Sequence, residues 1–253
     1  KSGGNNWFSV GVAEAMGTAS NLTLGRDTGH TSSANNGQIG YLGYGTNFVY
    51  QNEVRQVVNL LELIDEEDLR SIYGTSDEKS ILFHRLNQSV FTGKCVSAIE
   101  RYTGVVYSNI GWLDMSKDAQ SYMQKHILIF SGLFGMLRPL TPIPNYKLKM
   151  NVLSLQHHWK PVLTKSLENE EFVIDLLPQV HRKAYEPNEN TLKVDFLVIN
   201  KGKRVAAGHF GKAVKGQFIK YLAEKNVTSV DQFEGFHFDG FEWDGTQFIK
   251  EKD

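Results

Sequence analysis

Residues 126–150, HILIFSGLFGMLRPLTPIPNYKLKM, decide the fold class of this chain. The run HILIFS is almost wholly apolar, which is typical of a strand buried on both faces of a sheet. A second such run, EFVIDLL (171–177), follows a predicted helix at 154–168, which we expect to break or begin near Pro161. Strands and helices interleave without strict βαβ regularity. This pattern predicts a mixed α/β (α+β-like) fold, with a mixed sheet flanked by helices.

Periodicity on either side of this stretch gives the remaining elements. Apolar residues at three- and four-residue spacing predict a helix over 51–64, and residues 192–210 predict a hairpin that turns at Asn200–Gly202. A helix is predicted over 211–226. No linker or repeat interrupts the chain, so we expect a single domain over 1–253, in which the Gly/Asn-rich residues 1–45 have no assigned structure.

Composition narrows the class of protein. The net charge is −1, so any attraction for an anion must come from a local patch. Cys95 is the single cysteine, which excludes an internal disulfide and favours a reducing compartment. No stretch resembles a signal peptide or a membrane span, so we predict a cytoplasmic protein without a membrane partner. The oligomeric state is left open.

The segment GHFGKAVKGQF (208–218) carries the clearest chemical signal. We expect a strand to run into Gly211 and a helix to open behind it, with unpaired N–H groups at its start. Lys212 and Lys215 would lie on one side of that helix, beside the bare backbone of Gly216. These features could cradle an anion, with His209 as a donor or proton carrier. The alternative is an ordinary amphipathic helix whose lysines are solvated.

Two further sets of residues bear on anion binding. Residues 201–225 hold seven Lys or Arg and one acid, Glu224, and so form a local basic segment. Arg138 precedes a proline-stiffened loop. It could complete an anion site with Tyr146 and Lys147, or it could pair internally with an acid such as Asp175.

Residues 51–79 could form two helices around a tight turn, as in a DNA-binding helix-hairpin-helix. This region carries eight acidic and three basic side chains, a balance that favours a packing role over a grip on phosphate. The sequence contains no GxGxxG, GxxxxGK[ST], HExxH or CxxC motif. We therefore predict no metal site and no cofactor.

Several of these stretches together resemble the bacterial YaaA peroxide-stress-protein family. The resemblance runs from about Glu53 to the C-terminus and is carried by RYTGVVY (101–107), FSGLFGMLRPLTPIPNYKLKM (130–150), VIDL (173–176) and HFGKAVKGQFIKYL (209–222). Lys1 resembles the lysine that follows the first strand of family members. After the VIDL strand, relatives often carry Ser or Arg and then Tyr, and His181 is the candidate replacement here.

The resemblance implies a compact α/β fold with a positively charged cleft, binding of double-stranded DNA, and protection from peroxide damage by keeping free iron low. A different hypothesis is an enzyme that acts on a phosphate-bearing or nucleotide-like molecule. Lys1, Arg138, Lys212 and Lys215 would then converge in one pocket, with His209 or Tyr146 moving protons. A third is an interaction scaffold whose lysines stay solvated.

Overall fold

A computed structural model describes residues 9–13 and 48–251 of the chain. The helices are α1 (Gln51–Glu62), α2 (Leu69–Tyr73), α3 (Asp77–Gln88), α4 (Ala98–Arg101), α5 (Val105–Ile110), α6 (Lys117–His126), α7 (Leu155–Leu167), α8 (Gln179–Arg182) and α9 (Gly208–Glu224). The strands are β1 (Ser9–Ala13), β2 (Val96–Ser97), β3 (Ile127–Ser131), β4 (Gly135–Leu137), β5 (Pro142–Ile143), β6 (Val173–Asp175), β7 (Thr191–Lys193), β8 (Phe196–Asn200), β9 (Lys203–Ala206), β10 (Glu242–Trp243) and β11 (Phe248–Glu251).

The central sheet has the strand order β4-β3-β1-β6-β7 in the described part of the chain. Strands β3, β1, β6 and β7 are parallel, and β4 returns antiparallel to β3. Every residue of β3 and β6 is buried, as their continuous apolar runs predict. The mixed α/β fold is confirmed. Strand β1, which lies inside the Gly/Asn-rich segment, was not predicted.

A second sheet has the order β10-β11-β8-β9. The predicted hairpin is confirmed over residues 196–206, because β8 and β9 pair antiparallel with Asn200 opposite Lys203. Residues 192 and 193, which we expected in the hairpin, belong to β7 of the central sheet. Lys201 and Gly202, at φ values of 50° and 75°, form the turn. Positive φ at both turn positions matches the right-handed twist of the paired strands. Strand β11 lies parallel to β8, on the side away from β9.

Two predicted helices differ from their expected limits. Helix α7 runs unbroken through Pro161, so the predicted break there is wrong. Helix α9 begins at Gly208, three residues before the predicted start, because Gly208 takes a φ of 61° and turns the chain directly from β9 into the helix. Helix α1 is confirmed, with Val54, Val57 and Leu61 on its buried side.

One cluster of buried apolar side chains contacts both larger sheets. Helix α9 contributes Val214, Phe218 and Leu222 to it, so the apolar side of this helix faces the core. The opposite side of α9 therefore carries the lysines. Among the helices the structure describes, none has the length and apolar character that a bilayer crossing requires.

Candidate functional site

The carboxyl ends of β1 and β6 meet at the middle of the central sheet. β1 lies between β3 and β6, so the chain winds first to one side of β1 and later to the other. The Leu176 N–H donates to the Gly11 carbonyl across this junction, at 3.1 Å. In open α/β sheets, ligands bind outside the carboxyl ends of the strands where the winding direction reverses. This edge is the first place in the fold to look for a site.

Asp175, the last residue of β6, anchors a buried polar cluster at that edge. One carboxylate oxygen accepts the Leu177 N–H at 2.7 Å. The other accepts the Tyr185 hydroxyl at 2.9 Å and the Arg182 Nε–H at 3.0 Å. The Asp175 side chain is 5% exposed and the Arg182 side chain 15%. A buried carboxylate needs partners of this kind, since an unpaired one would strongly destabilise the fold.

Arg182 joins this cluster to β7 and the residues that follow it. Its Nη2 donates to Asp195 at 3.1 Å, and Lys193 approaches the other Asp195 oxygen at 3.1 Å. Burial alone would raise the pKa of Asp195, but the charges and hydrogen bonds of Arg182 and Lys193 outweigh it and lower that pKa. Burial also raises the pKa of Tyr185, and the Asp175 charge adds to that increase. At neutral pH, Asp195 is therefore ionised and Tyr185 keeps its proton.

Lys215 places an ammonium group at the same edge. Its Nζ donates to the carbonyl of Leu176, directly after β6. Burial lowers the pKa of Lys215 to about 8. Arg182 and Lys212 lower it further, whereas Asp195 and Asp175 oppose the shift. A lysine with this pKa can exchange a proton near neutral pH.

The other members of the predicted helical cradle have different surroundings. Lys212 is exposed, and His209 lies exposed in the first turn of α9. Gly216 is buried, and a side chain there would overlap the Val106 carbonyl and lie 2.6 Å from Asn109 Cβ. The bare backbone of Gly216 therefore lets α9 pack closely on α5. Helix α5 occupies the space beside Gly216 that we expected an anion to fill.

Arg138 lies at the opposite edge of the central sheet. Its guanidinium donates at 2.5 Å to the carbonyl of Lys125, which precedes β3. Burial lowers the pKa of Arg138, and the charge of Glu170, which precedes β6, partly opposes this shift. The five residues of β3 span about 16 Å from this edge to the carboxyl edge. The structure thus does not bring Arg138 together with Lys215. Asp175, its suggested internal partner, pairs with Arg182 instead.

The two other residues of the Arg138 loop are held by separate contacts. Tyr146 is fully buried, and its hydroxyl lies 2.7 Å from both the Tyr102 and the Ser131 hydroxyls. Lys147 is fixed through its backbone, which exchanges two hydrogen bonds of 2.8 Å with the Asn87 side chain of α3. Tyr146 therefore packs in the core beside the carboxyl end of β3, and Lys147 lies against α3.

Helices α2 and α3 form the predicted helix pair around a turn. Gly74, at a φ of 62°, ends α2 in the left-handed conformation. Tyr73 and Asn87 hydrogen-bond inside the pair at 3.0 Å, so this turn is held by its own buried contacts. Arg70, at its surface, faces Asp77 at 3.7 Å. The internal bonds, and the acidic residues 65–68 directly before the pair, suit a packing element.

An exposed basic face lies around the β8–β9 turn and the start of α9. Arg204 pairs with Asp244 at 2.9 Å. Across residues 9–13 and 48–251, no ion pair involves Lys201, Lys203 or Lys212. We call these three side chains the hairpin lysines. Lys1 lies outside the described residues, which also bring together no group of three His, Cys, Asp or Glu that could hold a metal.

Comparison with known proteins places the chain in a family. The sequence profile described as "Peroxide stress protein YaaA" matches residues 27–247. The chain belongs to the YaaA peroxide stress protein family. It is 25% identical over 201 residues to a UPF0246 protein of Streptococcus gordonii. This match covers 76% of the present chain and 82% of the relative. The chain is 25% identical to a UPF0246 protein of Crocosphaera subtropica, covering 78% of this chain and 85% of the relative.

The stretches that resemble the YaaA family gather at the carboxyl edge. Tyr107 of RYTGVVY donates to the carbonyl of Ala13, the last residue of β1, at 2.8 Å. Tyr146 of the long middle block bonds the end of β3 through Ser131, and Lys215 of the last block bonds the carbonyl after β6. Three stretches remote in sequence thus meet the ends of three adjacent strands.

Sequence reasoning missed Arg182, Tyr185 and Asp195, which build the polar cluster around Asp175. Their spacing follows no motif, because the contacts join the end of β6, the helix α8 and the chain after β7. One signal was present. Asp175 lies inside the predicted strand 171–177 and Asp195 inside the predicted hairpin 192–210, each as an acid among apolar residues. Carboxylates that prove to end parallel strands meet at one edge of a sheet.

Proposed function

We propose that this YaaA-family protein binds the phosphate backbone of DNA through the hairpin lysines and the start of α9, and so limits iron-dependent damage to the DNA. The observation that carries the proposal is the set of three exposed ammonium groups that no described acid neutralises. Helix α9 is 17 residues long, and the free N–H groups of its first turn favour an anion nearby. Contacts of this kind are made to the phosphate groups, so they do not depend on the base sequence of the DNA.

The position of Arg138 changes the proposed binding surface. Because it lies across the sheet from Lys215, it cannot contribute to the same phosphate contacts as the hairpin lysines. Helices α2 and α3, which follow the acidic residues 65–68, also lie outside the proposed surface. Binding would therefore use an open basic face.

A salt titration of duplex DNA binding tests the proposal. We expect the logarithm of the binding constant to fall linearly with the logarithm of salt concentration. The double variant Lys203→Ala/Lys212→Ala should lower the affinity and reduce the slope by about 0.9 for each lost phosphate contact. A further expected outcome is less strand cleavage by ferrous iron and peroxide when the wild-type protein covers the DNA.

The matched control is Lys79→Ala/Lys149→Ala, which removes two exposed charges beside α2 and α3. This variant should keep the wild-type slope. If it loses affinity while Lys203→Ala/Lys212→Ala does not, the helix pair is the DNA site. Binding that is absent or insensitive to salt in the wild type would refute DNA binding altogether.

A second candidate function is catalysis on a phosphate-bearing small molecule, and Lys215 favours it. A lysine with a pKa of about 8, beside Asp175 and Arg182 at the winding reversal, is placed where substrates bind in this class of sheet. Under this reading Lys215→Met should abolish nucleotide binding and leave duplex affinity unchanged. Nucleotide titrations of both proteins by calorimetry distinguish the two functions.

A further inference from the structure

Phe210 is a large aromatic side chain that the fold leaves 44% exposed in the first turn of α9. Its ring stacks on Phe241, with centroids 6.1 Å apart and an interplanar angle of 22°. Phe241 is fully buried and packs in turn against Phe196. The buried Phe241 therefore holds the Phe210 ring in place on one side. A ligand that stacks on Phe210 would lose little free energy to ordering this side chain.

The sheet under Phe210 carries side chains of matching character on the same face. Phe196 of β8 and Phe248 of β11 face α9, because both pack against Phe218 at 6.0 and 4.8 Å. Alternation along the strands places Val198 and Lys250 on that face, and the strand register adds Val205 and Lys203. We call the exposed Lys203, Val205 and Phe210, together with the half-buried Lys250, the Phe210 surface.

The charges of the Phe210 surface are positive and lie beside the ring. Lys250 is held by Asp239 at 2.7 Å, and its Nζ lies 5.7 Å from the centroid of Phe210. Lys203 is exposed at the start of β9, directly after the turn residues Lys201 and Gly202. An aromatic ring flanked by lysines complements a chain that carries both flat apolar groups and negative charges. An acidic or a wholly apolar partner lacks one of these two features.

We propose that the Phe210 surface stacks an unpaired base of single-stranded nucleic acid while the neighbouring lysines contact its backbone. The inference rests on the proposed function and extends it from duplex phosphates to exposed bases. Bases in a duplex are stacked on each other and do not offer a free face, whereas every unpaired base has one. The ring adds no base-specific hydrogen bond, so the preference is for unpaired structure and not for sequence.

The test compares Phe210→Ala and Phe210→Tyr in binding a thymidine oligonucleotide of about 12 residues and a duplex of the same length. Phe210→Ala should lower single-strand affinity by about 5- to 150-fold, the range of base–aromatic stacking, with an unchanged salt slope. Duplex affinity should stay at the wild-type value. Phe210→Tyr should bind both ligands as the wild type does, because it keeps the ring.

Leu140→Ala is the matched control, since Leu140 is 46% exposed, against 44% for Phe210, but lies outside the Phe210 surface in the loop after Arg138. It should leave both affinities unchanged. If Phe210→Ala binds the oligonucleotide as tightly as the wild type, or loses both ligands equally, the inference is wrong while DNA binding stands. If the wild type binds neither ligand, both proposals fail. A drop in molecular mass on Phe210→Ala, with single-strand affinity intact, would assign the surface to contacts between copies of the chain.

Discussion

Lys215 should make the stability of this protein rise with alkaline pH. Burial lowers its pKa from 10.5 to about 8 in the folded chain. Between these values the folded protein holds Lys215 neutral while the unfolded chain still binds the proton. The unfolded state then binds more protons, so the free energy of unfolding increases with pH. Integrated from about pH 7 to about pH 9.5, one such lysine contributes about 2 kcal/mol.

Urea unfolding at these two pH values measures the effect, with Lys215→Met as the reference protein. Methionine has a similar length and apolar stem and does not titrate, so other groups contribute equally to both proteins. The wild type should gain about 2 kcal/mol more than Lys215→Met between the two pH values. An equal change in the two proteins would show that the Lys215 ammonium is as well solvated in the folded chain as in the unfolded one.

Three further substitutions test packing and polar contacts. Asp175→Asn should destabilise the fold by about 3 kcal/mol, because it leaves the buried guanidinium of Arg182 without its ionic partner in β6. Gly216→Ala should destabilise it by about 1–3 kcal/mol, since the added methyl group meets the Val106 carbonyl where α9 packs on α5. Tyr146→Phe should cost about 1–3 kcal/mol by leaving two buried hydroxyls without their shared partner. Chemical unfolding measures all three.

Each of these variants has a reference. Asp239→Asn breaks the exposed pair with Lys250 and should change stability by less than about 1 kcal/mol. Gly211→Ala lies in the same helix as Gly216, and its nearest neighbour is the Ala207 side chain, at 3.1 Å, so it should be the milder of the two glycine variants. Tyr146→Phe should keep wild-type DNA affinity. A loss of DNA affinity without a loss of stability would show that this hydroxyl contacts ligand.

Long apolar runs made much of the fold predictable. β3, β6 and α1 have clear apolar patterns, and the β8–β9 hairpin has a lysine–glycine turn after the apolar run of β8. β1 was missed because five residues among glycines and asparagines carry too little periodicity. The start of α9 was misplaced because glycine both ends strands and enters helices, and only its φ shows which.

The candidate site was less predictable because it depends on strand direction. The sequence pointed to Arg138 and Lys215 as cations worth attention, but it did not show that β4 runs against β3 and places Arg138 at the far edge. The Asp175–Arg182–Asp195 cluster is likewise defined by which strands are neighbours. Side-chain chemistry is visible in a sequence, whereas its convergence follows from the order of the sheet.

Among the strands of residues 9–13 and 48–251, β9 is the outermost one of its sheet, and all four of its residues are exposed. A bare outer strand invites another chain to extend the sheet by pairing with its free amides, and lysines discourage this by keeping their charge in water. Lys203 therefore also opposes aggregation through the edge of this sheet. Lys203→Ala should aggregate at lower protein concentrations than the wild type, and light scattering during storage measures this aggregation.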